Sequence, residues 1–103
     1  MPDVLRTVPG HFWHGDNEEF GYAIDVGNLF TAPTAASAII LLNGSDVGAS
    51  NFRNATSAPT ISGSIVTTPC IVGLSPSKDY RVELLVEQSG ERKKCYFIVT
   101  GTS

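Results

Sequence analysis

The chain has 103 residues, 42 % apolar and 17 % charged, with a formal net charge of −3. That is the size of one domain, able to bury roughly two-thirds of the surface its unfolded chain exposes without help from metals or disulfides. An acidic balance without a basic stripe argues against nucleic-acid binding, since phosphate neutralisation supplies most of that affinity, and no apolar run approaches the ~20 residues that span a bilayer.

The charges are unevenly spread. Residues 1–51 carry one basic and six acidic side chains, net −5, whereas residues 52–103 carry six basic and four acidic, net +2. The low overall charge points to apolar surface that stays exposed or is covered by a partner.

The N-terminal stretch MPDVLRTVPGHFWHGD lacks the charged-then-apolar layout and cleavage site of a secretory signal. Synthesis in the cytosol is therefore expected, with Cys70 and Cys95 as reduced core thiols and a buried disulfide between them as the alternative. Pro9, Gly10 and Gly15 disfavour a long regular strand, so residues 1–17 are expected to form an extended N-terminal arm, and residues 18–103 the folded domain. Phe12 and Trp13 either fold back over one end of that domain or dock on a neighbouring subunit, where aromatic anchors are most useful.

Downstream, strand signals dominate and helix signals are almost absent. Phe20, Tyr22, Ile24 and Val26 alternate with Gly21, Ala23, Asp25 and Gly27, giving one bulky and one thin face. Ala38–Leu42 is apolar on both faces, as in a central strand covered on both sides. Gly44–Asn54 reads as a loop or short edge strand. Thr60–Thr68 reads as one alternating strand, interrupted by Pro69 and resumed over Cys70–Leu74.

The final segment is the most legible. With Ser89-Gly90 as a two-residue hairpin turn, Tyr80 faces Val99, Val82 faces Phe97 and Leu84 faces Cys95, all on one core-forming side. The other side pairs Arg81 with Ile98, Glu83 with Tyr96, and Glu87 with Arg92. A slip by one residue mixes the faces, so this register is favoured. An isolated hairpin is marginal in water, so a second sheet must pack on the Tyr80, Val82 and Leu84 face.

About seven short strands separated by turn signals describe an all-β, antiparallel β-sandwich. Leu74, Pro76 and Tyr80, spaced L-x-P-x-x-x-Y before an alternating strand, resemble the corner between the fifth and sixth strands of immunoglobulin-like and fibronectin type III-like domains. The resemblance implies a tyrosine hydroxyl bonded back to the corner backbone.

Chemistry is sparsely signalled. His11 and His14 form an H-x-x-H pair near Asp16, but structural zinc needs four ligands and catalytic zinc three with an open position. No metal, cofactor or catalytic residue is assigned on this basis, and no enzyme activity is expected. Neither cysteine has the base and electropositive setting of a nucleophile, and no glycine-rich phosphate loop leads into a helix.

From Glu18 to Gly101 the sequence resembles small immunoglobulin-like proteins carried by tailed bacteriophages. The matching stretches are EEFGYAIDV, TISGSIVTTPCIVGL and SPSKDYRVELLVEQSGERKKCYFIVTG. Many such proteins have a tryptophan after the Ile-Asp, where this chain has Val26, and a Gly-Gly where it has Ser75-Pro76. The resemblance implies a virion structural protein, made in the host cytoplasm. Capsid decoration (a cement subunit bound to other capsid proteins) ranks first, and a tail or fibre adaptor second. A carbohydrate- or cell-surface-binding module is the alternative from another class. Homo-oligomerisation within the assembly is expected, with no nucleic-acid or membrane partner. Phe12, Trp13, Leu85, Tyr96 and Ile98 are the expected partner-binding residues, and Leu74, Tyr80, Val82, Leu84, Cys95, Phe97 and Val99 the expected core.

Overall fold

The computed structural model describes residues 4–15, 18–27, 30–53 and 58–102. They form an all-β protein of two sheets. In chain order the strands are β1 (Val4–Gly15), β2 (Ala23–Asp25), β3 (Ala35–Leu42), β4 (Ser45–Asp46), β5 (Thr60–Ser62), β6 (Ile65–Thr67), β7 (Asp79–Gln88) and β8 (Glu91–Thr102). A single helical turn, α1 (Gly48–Asn51), follows β4. One sheet has the order β1-β8-β7-β3-β4 and the other β2-β6-β5.

The β7–β8 hairpin sets the frame. Ser89 and Gly90 both take positive φ, 53° and 82°, the combination whose twist matches a right-twisted two-residue hairpin. The ladder runs from Gln88 opposite Glu91 to Asp79 opposite Thr100, the register expected from the sequence. Asn43-Gly44 repeats the device between β3 and β4, with φ of 52° and 82°. β3 then lies antiparallel to β7, with Ile40 opposite Val82 and Ala38 opposite Leu84.

Inward side chains of this sheet meet the smaller sheet and its flanking loops. Leu74, Tyr80, Val82, Leu84, Val86, Cys95, Phe97 and Val99 are buried together with Ile24, Val26, Ile40, Phe52, Val66 and Ile71. Burying this many large apolar side chains, each worth ~1.5–3 kcal/mol, is the main force holding the sheets together. Cys70 and Cys95 are both free thiols, and burial pushes the Cys95 thiol up to about 11. The corner before β7 is closed by the Tyr80 hydroxyl, which accepts a hydrogen bond from the Ser75 N–H at 2.9 Å. Gly101 lies so close under that corner that a Cβ would stand 2.1 Å from the Ser75 carbonyl oxygen.

Several sequence expectations are corrected. The segment expected to be an N-terminal arm is instead, over residues 4–15, an edge strand running parallel to β8, so the sandwich is not purely antiparallel. Pro9 and Gly10 are absorbed by a register break between Arg6, opposite Tyr96, and His11, opposite Ile98. An irregular edge strand tolerates a proline because one side of its backbone makes no ladder bonds. Thr60–Thr68 is not one strand: Gly63, at φ 60°, turns the chain so that β5 folds back on β6, with Ile61 opposite Val66. Phe20, expected to alternate with Tyr22 in a strand, lies outside β2 and is 39 % exposed. The outer face of β3, expected to be covered, leaves Ile39 37 % exposed.

Candidate functional site

Alternation puts every second residue of β7 and β8 on the side away from the core, and the smaller sheet covers only the inner side. The outer face of the five-stranded sheet therefore carries the side chains that the core does not explain. Across β8, β7 and β3 the cross-strand neighbours run Ile98–Arg81–Leu41, then Tyr96–Glu83–Ile39, then Lys94–Leu85–Ser37. Leu85, Tyr96, Ile98 and Leu41 are half-buried and Ile39 is exposed. A shallow depression lies between Ser37, Ile39, Glu83, Leu85 and Lys94.

Arg81 organises the centre of this face. Its guanidinium lies over the Tyr96 ring, 3.9 Å from the centroid, an arrangement worth about 0.5–1 kcal/mol when partly exposed. Its Nε stands 2.9 Å from Glu83 Oε2, yet no acceptor is aligned with that N–H. The contact is an ion pair by proximity rather than a hydrogen bond. Toward the hairpin tip, Arg92 Nε donates to Glu87 Oε1 at 3.1 Å.

β1 splits the two aromatic residues singled out from the sequence. Phe12 pairs with Val99 and points inward, its ring 4.7 Å from Tyr22 and 5.3 Å from Phe97. It is a core contact, and its assignment to partner binding is corrected. Trp13 pairs with Thr100 on the outer side, is 64 % exposed, and stacks flat on His11 at 4.4 Å. Neighbours in a strand face opposite ways, so Phe12 and Trp13 cannot serve one surface.

The same parity separates the histidines. His11 faces outward, where its Nε2 lies 2.6 Å from Thr100 Oγ1, and Thr100 donates to Asp79 Oδ1 at 2.6 Å. The single hydroxyl proton goes to the carboxylate, so the His11 Nε2–H is the donor to Thr100. In that direction the imidazole cannot take a proton from Thr100, and no activated nucleophile results. His14 faces inward and is fully buried; its Nε2–H donates to the Glu18 carbonyl at 2.7 Å and its Nδ1 meets the Tyr22 hydroxyl at 2.8 Å. Burial, reinforced by the nearby Glu18 charge, raises the Tyr22 phenol to about 12, so Tyr22 keeps its proton. The two imidazoles lie on opposite faces of β1 and cannot share an ion. Asp16 lies outside the described residues.

Leu85, Tyr96, Ile98 and Trp13 are thus brought to one face. Ile39, Leu41 and the Arg81–Tyr96 stack belong with them and were missed from the sequence. The signal for Ile39 and Leu41 was the both-faces-apolar stretch of β3, which reads as covered until the strand order shows nothing above it among the described residues.

No protein-family model matches the chain, and comparisons with curated proteins and with solved structures find no match.

Proposed function

We propose that this chain is a non-enzymatic immunoglobulin-like structural subunit of a tailed-phage virion, docking on neighbouring virion subunits through the outer face of its five-stranded sheet. The observation that carries the reading is that face itself, with Ile39, Leu85, Tyr96 and Ile98 clustered on a sheet side that no part of the described chain covers. Exposed apolar clusters on a small domain mark interaction surfaces. The immunoglobulin-like assignment is supported by the strand order: β8, β7 and β3 occupy one sheet and β2, β6 and β5 the other, the partition of the G, F, C and B, E, D strands in that fold. The tyrosine at the corner before β7 supports it further. The phage assignment is supported by the sequence resemblance over Glu18–Gly101.

Capsid decoration ranks ahead of a tail or fibre adaptor. The experiment is incorporation of Ile39→Asp and Leu85→Asp variants into virions carrying this chain, scored as copies per particle alongside the fold of the isolated variants. Folded variants are expected to incorporate at a small fraction of the wild-type level. Normal incorporation overturns the docking face, and loss of the wild-type chain together with tail components during stepwise disassembly overturns decoration. The exposed Trp13 beside His11 favours a second reading, a carbohydrate-binding edge. Binding on a glycan array that is lost in Trp13→Ala would establish it.

A further inference from the structure

One side of strand β3 is left open along most of its length. Asn43-Gly44 joins β3 to β4 as a two-residue hairpin, so its closing pair, Leu42 and Ser45, aim their backbone N–H and C=O groups at each other. Backbone direction alternates along a strand, so Ile40, Ala38 and Ala36 aim the same way. The Ile40 carbonyl does so, accepting from the Val47 N–H at 2.9 Å. Beyond it the backbone groups of Ala36 and Ala38 meet no backbone partner among the described residues. Ser37 and Ile39 aim at β7 instead, opposite Leu85 and Glu83. At the start of the strand the Thr34 N–H turns to the Glu87 carbonyl at 2.8 Å. The open slot is therefore Ala35–Ile39.

Soluble proteins blunt their sheet edges with charge, proline, a bulge or brevity. The opposite edge strand, β1, carries Pro9 and a register break, and β4 is two residues long. The slot has none of these devices. Its sequence is Ala-Ala-Ser-Ala-Ile, without charge or proline, and it pairs with β7 residue for residue without a bulge. Such an edge takes up an extended backbone as a further strand.

Read in the opposite direction, the slot fits itself. A two-fold axis normal to the sheet at Ser37 lays two copies of β3 side by side and antiparallel. Ala36 of each copy then faces Ala38 of the other, and the two pairs close four N–H···O=C bonds. Ser37 stands opposite Ser37 of the second copy, within reach of a hydroxyl–hydroxyl bond. Ala35 stands opposite Ile39, small against large. With no charge in the slot, no like pair opposes the contact. Sliding the pairing by two residues in either direction needs the Ile40 carbonyl or the Thr34 N–H, and both are already bonded. One register remains.

We infer that β3 is a dimerisation edge, at which two copies of the chain join through Ala35–Ile39 into one continuous sheet about a two-fold axis at Ser37. The inference is independent of what the outer face binds, although the pairing sets the two outer faces side by side.

The test combines sedimentation of the isolated chain with amide hydrogen exchange across a concentration series. A dimer with a dissociation constant on the order of 100 μM is expected, as for a contact smaller than the usual interface. Exchange at the Ala36 and Ala38 amides should slow as the concentration rises from ~10 μM to ~1 mM, while Ser37 and Ile39 stay protected throughout. Ala38→Pro should weaken association at least ~10-fold and leave the melt near that of the wild type, since a proline fits where a strand N–H makes no ladder bond. Ser37→Cys should form an intermolecular disulfide on mild oxidation, because such a pair stands ~4.5 Å apart at Cα, inside disulfide range. Ile39→Cys faces Ala35 and should link no faster than the wild-type chain. A chain that stays monomeric to ~1 mM overturns the inference. So does a dimer whose Ala36 and Ala38 amides exchange at the same rate at every concentration, because it must use another surface. Equal linking of Ser37→Cys and Ile39→Cys overturns the register.

Discussion

Leu84 and Leu85 are adjacent in β7 and chemically identical, yet the structure gives them opposite roles. Leu84 is 0 % exposed, between Cys95 on β8 and Ala38 on β3. Leu85 is half-buried on the outer face, between Lys94 and Ser37. Leu84→Ala removes fully buried methyl groups and leaves a cavity between two sheets that cannot collapse freely, a loss of ~2–5 kcal/mol. A domain of this size has ~5–15 kcal/mol of stability in all, so the variant should stay folded but with a much narrower margin. At a urea m-value of ~1.5 kcal/mol/M, a 3 kcal/mol loss lowers the unfolding midpoint by about 2 M. Leu85→Ala opens no cavity and should cost less than ~1 kcal/mol, or under ~0.7 M in midpoint. Circular dichroism is the appropriate probe, because Trp13 already sits largely in water and its fluorescence reports folding poorly. Equal losses for the two variants, or a neutral Leu84→Ala, would refute the face assignment on which the candidate site depends.

Tyr80→Phe removes the acceptor for the Ser75 N–H and should lower stability by about 1 kcal/mol, or ~4–8 °C in melting temperature. An unchanged melt would remove the corner bond from the account. Tyr22 gives a pH signature. Its phenol is raised from 10.0 to about 12 in the folded chain, so the unfolded chain ionises first. The associated stability is fully present below pH 10 and is lost as pH rises toward 12, to the extent of up to ~2 kcal/mol. Tyr22→Phe should flatten that alkaline slope in urea midpoints measured across the range, and an unaltered slope would assign it to other groups.

The legible parts of the fold are the local ones. The β7–β8 hairpin is set by a Ser-Gly turn and ten residues of alternation on each side, all within about twenty-five positions, so the sequence contains its register. The corner tyrosine lies five residues from its partner backbone. The strand β1 was illegible because its partner, β8, is some ninety residues away and its internal Pro9-Gly10 reads as a breaker. Only the open edge of a completed sheet makes that irregularity tolerable. The β5–β6 turn was hidden for a different reason. Alternation continues through Gly63, and nothing short of its left-handed backbone distinguishes a bend from a strand residue. At the candidate site, Leu85, Tyr96 and Ile98 followed from the hairpin register alone. Ile39 and Leu41 required the strand order, and Phe12 was misplaced because the sequence did not reveal that its segment was a strand with two sides.

The parallel placement of β1 beside β8 has a mechanical consequence. Val4 lies beside Lys94 and Gly15 beside Thr102, so the first strand starts at one end of this strand pair and the last strand finishes at the other. Tension applied between those two points slides β1 along β8 and loads their hydrogen bonds together in shear, whereas an antiparallel terminal pair would open one bond at a time. Forced rupture is governed by the barrier to unfolding rather than by equilibrium stability. Along this one direction, resistance to extension is set by the β1–β8 ladder as a whole.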